Sequence, residues 1–230
     1  MNRFSLVAGM FAAAAMAFAA APAAAQNLVS NPSFESPVLT PGNTTLDTIP
    51  NWTGPLSGGF GHGVSYEAAV LMTPNGNQWA FTNNQPGFGS IAQQTATTVV
   101  VGTTYTLTAE VGRRTDTAQS TTAIQIWAGG TVANGVVTGG TMVASQPVVQ
   151  SSGAFVSGTT SWVGAAPQAG QLLTVRLVTS AAAGQVAWDN VSLTAFVPPV
   201  PTLSEWAMIL VGLMLAGTAV VLVQRRKLEA

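Results

Sequence analysis

The chain contains no cysteine, so neither a disulfide framework nor a thiolate metal site is open to it. Charge is almost as scarce, at 7% of residues with a net of -1. Between Gln26 and Val200 three basic residues (Arg113, Arg114, Arg176) stand against six acidic ones (Glu35, Asp47, Glu67, Glu110, Asp116, Asp189). That stretch offers no basic face to phosphate, which excludes nucleic-acid partners. It also lacks a 3.6-residue apolar stripe, which argues against amphipathic helices. The only histidine, His62, lies in the glycine-rich run Gly58-Gly59-Phe60-Gly61-His62-Gly63 with no acidic residue close in sequence. The run follows no strand-to-helix pattern, so it is not a phosphate loop, and no H-E-x-x-H, G-x-S-x-G or Ser-His-Asp order occurs. These absences lead to the expectation that the protein is not an enzyme and has no catalytic residues.

What is present begins with the two ends. Residues 1–25 carry one positive charge at Arg3, an apolar run from Phe4 to about Ala20, and a small-residue stretch with Ala23 and Ala25 spaced as A-x-A. This is the layout of a signal peptide cut by signal peptidase. At the other end, residues 206–223 carry no charge and are long enough for a transmembrane helix. Trp206 stands at the outer edge of that run, and Arg225, Arg226 and Lys227 follow it as a membrane stop. The basic tail, residues 224–230, is expected in the cytoplasm and the domain outside it, anchored in the inner membrane by the helix. The expected organisation is a signal peptide (1–25), one domain (26–197), a Pro-rich spacer with a sorting motif (198–205), the helix and the tail. Gly212 and Gly217 are spaced by five and do not form the G-x-x-x-G packing pattern, so no helix dimer is expected.

The run Val200-Pro201-Thr202-Leu203-Ser204-Glu205-Trp206, followed by the apolar stretch and the basic cluster, resembles the IPTL-CTERM sorting signal, a relative of the PEP-CTERM signals. The resemblance covers residues 200–227 and implies that Pro201, Thr202 and Leu203 form a motif read by an exosortase-like sorting protease. It further implies an exported protein of the cell surface or extracellular matrix.

The middle of the chain alternates with period two, as half-buried strands do. Tyr105, Leu107, Ala109 and Val111 share one face, as do Ile124 and Ile126, and as do Leu173, Val175 and Leu177. In the run from Gln185 to Leu193 the apolar set Val186, Trp188, Val191 and Leu193 stays on one face only if a bulge falls at Asp189-Asn190. Turn signals such as Asn75-Gly76, Asn134-Gly135 and Gly139-Gly140 separate the runs. The prediction is all-β, with about eight to ten strands in two packed antiparallel sheets.

Asn27-Leu28-Val29-Ser30-Asn31-Pro32-Ser33-Phe34-Glu35 resembles the opening of galactose-binding-like jelly rolls, among them many carbohydrate-binding modules. Ile49-Pro50-Asn51-Trp52, Asn75-Gly76-Asn77-Gln78, Gly89-Ser90-Ile91-Ala92-Gln93, Thr103-Thr104-Tyr105-Thr106-Leu107 and Asp189-Asn190-Val191 are similar to the later landmarks, in order. The resemblance implies a jelly-roll β-sandwich. It also implies a structural calcium ion flanked by Glu35 and Asp189, and buried positions for Trp52 and Trp188.

A sugar would be held by aromatic faces and polar groups. Tyr66, Trp79, Trp127 and Trp162 are the candidates for such a platform, and Arg113 and Arg114 for a clamp on an acidic group. Core packing competes for each aromatic, and an Arg–Asp loop pair competes for the arginines. The functional expectation is an exported, surface-sorted, non-catalytic protein that binds polysaccharide. Its alternatives are a purely structural or adhesive protein and, further off, a hydrolase using two carboxylates.

Overall fold

A computed structural model describes residues 26–55, 61–83, 89–180, 184–198 and 203–228, apart from the side chain of Ser180 and a few near the C-terminus. The signal-peptide segment and the motif residues Pro201 and Thr202 lie outside the described residues, as do the side chains of Leu203, Arg226 and Lys227.

Among the described residues thirteen strands follow one another: β1 (Thr44–Leu46), β2 (His62–Ser65), β3 (Trp79–Asn83), β4 (Ser90–Thr98), β5 (Thr104–Arg113), β6 (Thr121–Ala128), β7 (Thr131–Ala133), β8 (Val136–Thr138), β9 (Thr141–Val148), β10 (Ser151–Ser152), β11 (Phe155–Val163), β12 (Leu172–Ser180) and β13 (Gln185–Phe196). One sheet runs β1-β2-β3-β13-β5-β10, with β11 also paired to β5. The other runs β4-β12-β6-β9, and β7 and β8 form a separate hairpin. Most pairings are antiparallel, and the result is the expected two-sheet sandwich.

The alternating residues make the core. Leu107, Val111, Trp188, Val191 and Leu193 from the first sheet meet Ile124, Ile126, Leu173, Val175 and Leu177 from the second, all of them fully buried. The β13–β5 register shifts between Asp189 and Ser192, and Asn190 adopts a left-handed φ of 47°. The bulge therefore stands at the expected step and keeps Val186, Trp188, Val191 and Leu193 inside.

β3 does not alternate. Its residues are buried on both faces, because Leu71, Phe81, Trp79 and Ala187, with Phe155 against them, form a second small core on the outer side of the sheet. Between β7 and β8 the chain reverses through Asn134 and Gly135, both left-handed (φ 50° and 72°), which is the backbone a tight hairpin requires.

The final element, α1 (Leu203–Leu228), has 26 residues. Its described apolar side chains, Trp206 to Leu222, are exposed. Among the described residues no helix is long and apolar enough to cross a membrane.

Candidate functional site

The histidine and a carboxylate are brought together by strand register. Asp47 immediately follows β1 and donates its backbone N–H to the His62 carbonyl at 2.8 Å, where β2 begins. The two side chains then approach, with His62 Nδ1 3.9 Å from Asp47 Oδ1. Nδ1 also lies 3.2 Å from the Pro55 carbonyl, a contact that requires Nδ1 to carry the proton. Nε2 is then the basic nitrogen. Burial holds the imidazole below its ordinary pKa, against the smaller opposing pulls of the Pro55 carbonyl and Asp47. The ring is therefore held in its neutral form near pH 7, with Nε2 unprotonated.

This pair lines a cavity of about 320 Å³ together with Trp52, Thr53, Gly54, Ala133 and Asn134. Gly54 is required there, since a Cβ would stand 2.7 Å from the imidazole ring. Trp52 is buried against Phe34, with ring centroids 5.3 Å apart, and its indole N–H donates to the Asn31 carbonyl. The tip of the β7–β8 hairpin forms another wall and is pinned from below. The Gly135 carbonyl accepts from Arg176 Nε at 2.8 Å and from Ser90 Oγ at 2.7 Å, while Arg176 Nη2 donates to Ser90 Oγ at 3.1 Å. A Cβ at Gly135 would collide with the Ser90 carbonyl at 2.0 Å.

The carboxylates of Glu35 and Asp189 lie elsewhere, on either side of the Asn75–Gln78 turn. Glu35 Oε1 accepts from the Asn77 and Gln78 amides at 2.8 Å each. Asp189 Oδ2 accepts from the Asn75 amide at 3.1 Å and Oδ1 from the Asn190 amide at 2.6 Å. Asp189 is fully buried, and burial raises its pKa to about 7, with repulsion from Glu35 and Glu110 adding to the effect. Among the described residues no cluster of three or more His, Asp or Glu could hold a metal. The donors these two residues would offer a cation are carboxylate oxygens alone, hard ligands of the kind calcium takes rather than a transition metal.

The residues expected to bind sugar do not converge. Trp79 is fully buried, edge-on to Phe81 at 6.2 Å, and presents no open face. Trp162 stacks on Tyr105, its partner across β11–β5, at 6.0 Å. Trp127 is half-buried on the four-stranded sheet, with its N–H on Gln125 Oε1. Tyr66 is half-buried just after β2. None of the four lines the His62 cavity. Arg114 is already occupied, bidentate to Asp116 (2.9 and 2.8 Å) and bonded to Glu67 at 2.8 Å. Arg113 donates to the Thr117 carbonyl. The clamp on an external acid is thus replaced by an internal ion-pair network. A second, larger groove of about 580 Å³ runs beside β4 and is lined by amides, among them Asn51, Gln93 and Gln94.

Comparison with known proteins decides the family. A model described as HpiC1 cyclase matches residues 25–194, most of the chain. The chain belongs to the HpiC1-like cyclase family. The IPTL-CTERM motif matches residues 198–226, which marks this cyclase-family member as exported and membrane-associated and implies an exosortase-like processing system. Among solved structures the Stig cyclase Fisc from Fischerella sp. TAU, in complex with (3Z)-3-(1-methyl-2-pyrrolidinylidene)-3H-indole, is 23% identical. The match covers 76% of this chain and 100% of that one, with a TM-score of 0.63. The tandem CBM22-1-CBM22-2 domain of Paenibacillus barcinonensis Xyn10C is 17% identical, covering 77% of this chain and 48% of that one at a TM-score of 0.50. No curated protein matches the chain.

Membership of a cyclase family overturns the expectation of a non-catalytic protein. That expectation rested on His62 having no acidic residue near it in sequence, whereas β1–β2 pairing places Asp47 beside it. The missed signal was the pair of short segments Thr44–Leu46 and His62–Ser65, which pair as β1 and β2. A hairpin there brings the residue after one strand opposite the first residue of the next. The carbohydrate-binding resemblance described the jelly-roll scaffold, which cyclase-family members and binding modules share.

Proposed function

We propose that this protein is an exported cyclase that closes a ring within one substrate molecule by proton transfer at His62. The observation that carries the reading is the chain's only histidine, anchored through Nδ1 beside Asp47 on the wall of a cavity edged by Trp52, in a chain of a cyclase family. Nε2 takes a proton from the substrate as the ring forms and returns it to the product, so no mass is gained or lost. Asp47 steadies the imidazolium formed between these steps, and the Pro55 carbonyl holds the tautomer. The cavity's small volume and its indole edge suit a compact aromatic substrate, the class represented by the indole in the Fischerella complex.

The test is to incubate the full chain with a panel of alkenyl indoles and to look for isomers of unchanged mass and altered retention. Conversion that is lost in His62→Gln supports the reading. If the wild-type chain converts none of the panel and is retained on polysaccharide, a second reading takes its place. In that reading the amide groove of Asn51, Gln93 and Gln94 binds sugar hydroxyls.

Glu35 and Asp189 would hold a structural calcium ion, which would offset the charge of the buried Asp189 and brace the Asn75–Gln78 turn. Residues 206–223 would anchor the chain in the membrane with Arg225, Arg226 and Lys227 on the cytoplasmic side, until an exosortase-like protease cuts near Pro201, Thr202 and Leu203.

A further inference from the structure

Cleavage after Ala25, where the A-x-A pattern ends, makes Gln26 the first residue of the exported chain. We propose that Gln26 then closes into a pyroglutamyl lactam, leaving the mature protein with a blocked, uncharged N-terminus. The inference rests on that cleavage and is independent of the His62 reading.

The chain becomes fixed one residue later. The Asn27 side chain donates to the Val191 carbonyl at 2.9 Å and accepts from the Leu193 amide at 3.0 Å and the Val29 amide at 3.1 Å. The Leu28 amide donates to the Leu193 carbonyl at 2.8 Å. Gln26 is exposed just outside this clamp, at the rim of the groove beside β4. Every described residue lining that groove is uncharged, with Asn51, Gln93, Gln94, Thr95 and Thr97 supplying its polar groups. An α-ammonium at Gln26 would find no carboxylate there. A free α-amine titrates at about 7.7–8.0, so a sizeable fraction is the neutral nucleophile near neutral pH.

The chemistry needs no further reactant. The α-nitrogen attacks Cδ of its own side-chain amide, the N–Cδ bond forms and the Cδ–Nε2 bond breaks. Nε2 leaves as ammonia, taking up a proton from the attacking amine. The product keeps a carbonyl acceptor and one N–H donor, which suit an amide-lined groove better than a charge does. A lactam also denies aminopeptidases outside the cytoplasm the free amine they require.

The test is intact mass and N-terminal peptide mapping of the protein isolated from its host. The expected N-terminal peptide starts at residue 26, is one ammonia lighter than the free-glutamine form, and resists Edman degradation. Pyroglutamyl aminopeptidase should remove the lactam and expose Asn27. A Gln26→Glu chain, cut at the same bond, should keep a free amine, because a carboxylate is a far poorer electrophile than an amide. A wild-type chain that starts at Gln26 with a free amine overturns the lactam. One that starts at any other residue overturns the cleavage on which it depends.

Discussion

Two aspartates in this molecule stand in opposite circumstances. Asp189 is fully buried and offers both of its oxygens to amides of its own chain, at Asn75 and Asn190. Asp47 keeps 19% of its side chain exposed and stands 3.9 Å from an imidazole on the wall of a cavity. A carboxylate whose lone pairs hold its own backbone in place is part of the scaffold. One that stands 3.9 Å from a neutral base can steady that base when it takes a proton. The difference lies in exposure and in the imidazole beside one of them, not in residue type, and it separates a loop clasp from a candidate catalytic pair.

The largest effect is expected at the His62 pair. His62→Gln should reduce ring closure by about 10²–10⁴-fold, the usual worth of a positioned proton acceptor. Its melting temperature should change little, because glutamine retains a polar group of similar length. Steady-state turnover and a thermal melt on the same preparation check both halves. Asp189→Ala should do the reverse. Two backbone amides would lose their acceptor at a cost of about 2–4 kcal/mol, read by denaturant unfolding. The rate per folded molecule should stay unchanged.

A pH series sharpens the contrast further. Asp189 in the folded chain titrates at about 7, above its unfolded value. Its contribution to stability is therefore complete below the unfolded pKa and is lost as pH rises through about 7. Chelator-treated protein should lose stability between about pH 4 and pH 7, by an amount on the order of a few kcal/mol. Added calcium should flatten that slope if Glu35 and Asp189 hold it, and identical melts with calcium and with excess chelator would remove the ion from the account. The smallest effect is expected at the hairpin. Arg176→Met removes one donor from the Gly135 carbonyl and one from Ser90, which should loosen one wall of the His62 cavity at a cost of about 1 kcal/mol. A several-fold rise in KM with kcat nearly unchanged is the expected signature.

The sandwich was legible because period-two alternation is a local property. Tyr105 to Val111 and Leu173 to Leu177 declare their buried faces, and the broken alternation at Asp189-Asn190 located the bulge. The site was not legible, since its parts meet through register and crossing. Asp47 reaches His62 across β1–β2, and Asn134 comes to the same cavity from the hairpin beyond β6. Trp79 was misplaced for a related reason. A strand buried on both faces shows no alternation, and the residues that cover its outer side, Leu71 and Phe155, are distant in sequence. For Arg114 the near partner Asp116 was visible in the sequence, but Glu67 was not.

The most direct test of the His62 assignment is ¹⁵N NMR of the imidazole, which gives a single spin system because the chain has one histidine. The imidazole should show a pKa below that of a free histidine, the Nδ1–H tautomer at pH 7, and a shift of the Nε2 resonance when (3Z)-3-(1-methyl-2-pyrrolidinylidene)-3H-indole, the indole of the Fischerella complex, is added. An ordinary or raised pKa, with an Nε2 signal indifferent to the indole, would contradict the assignment.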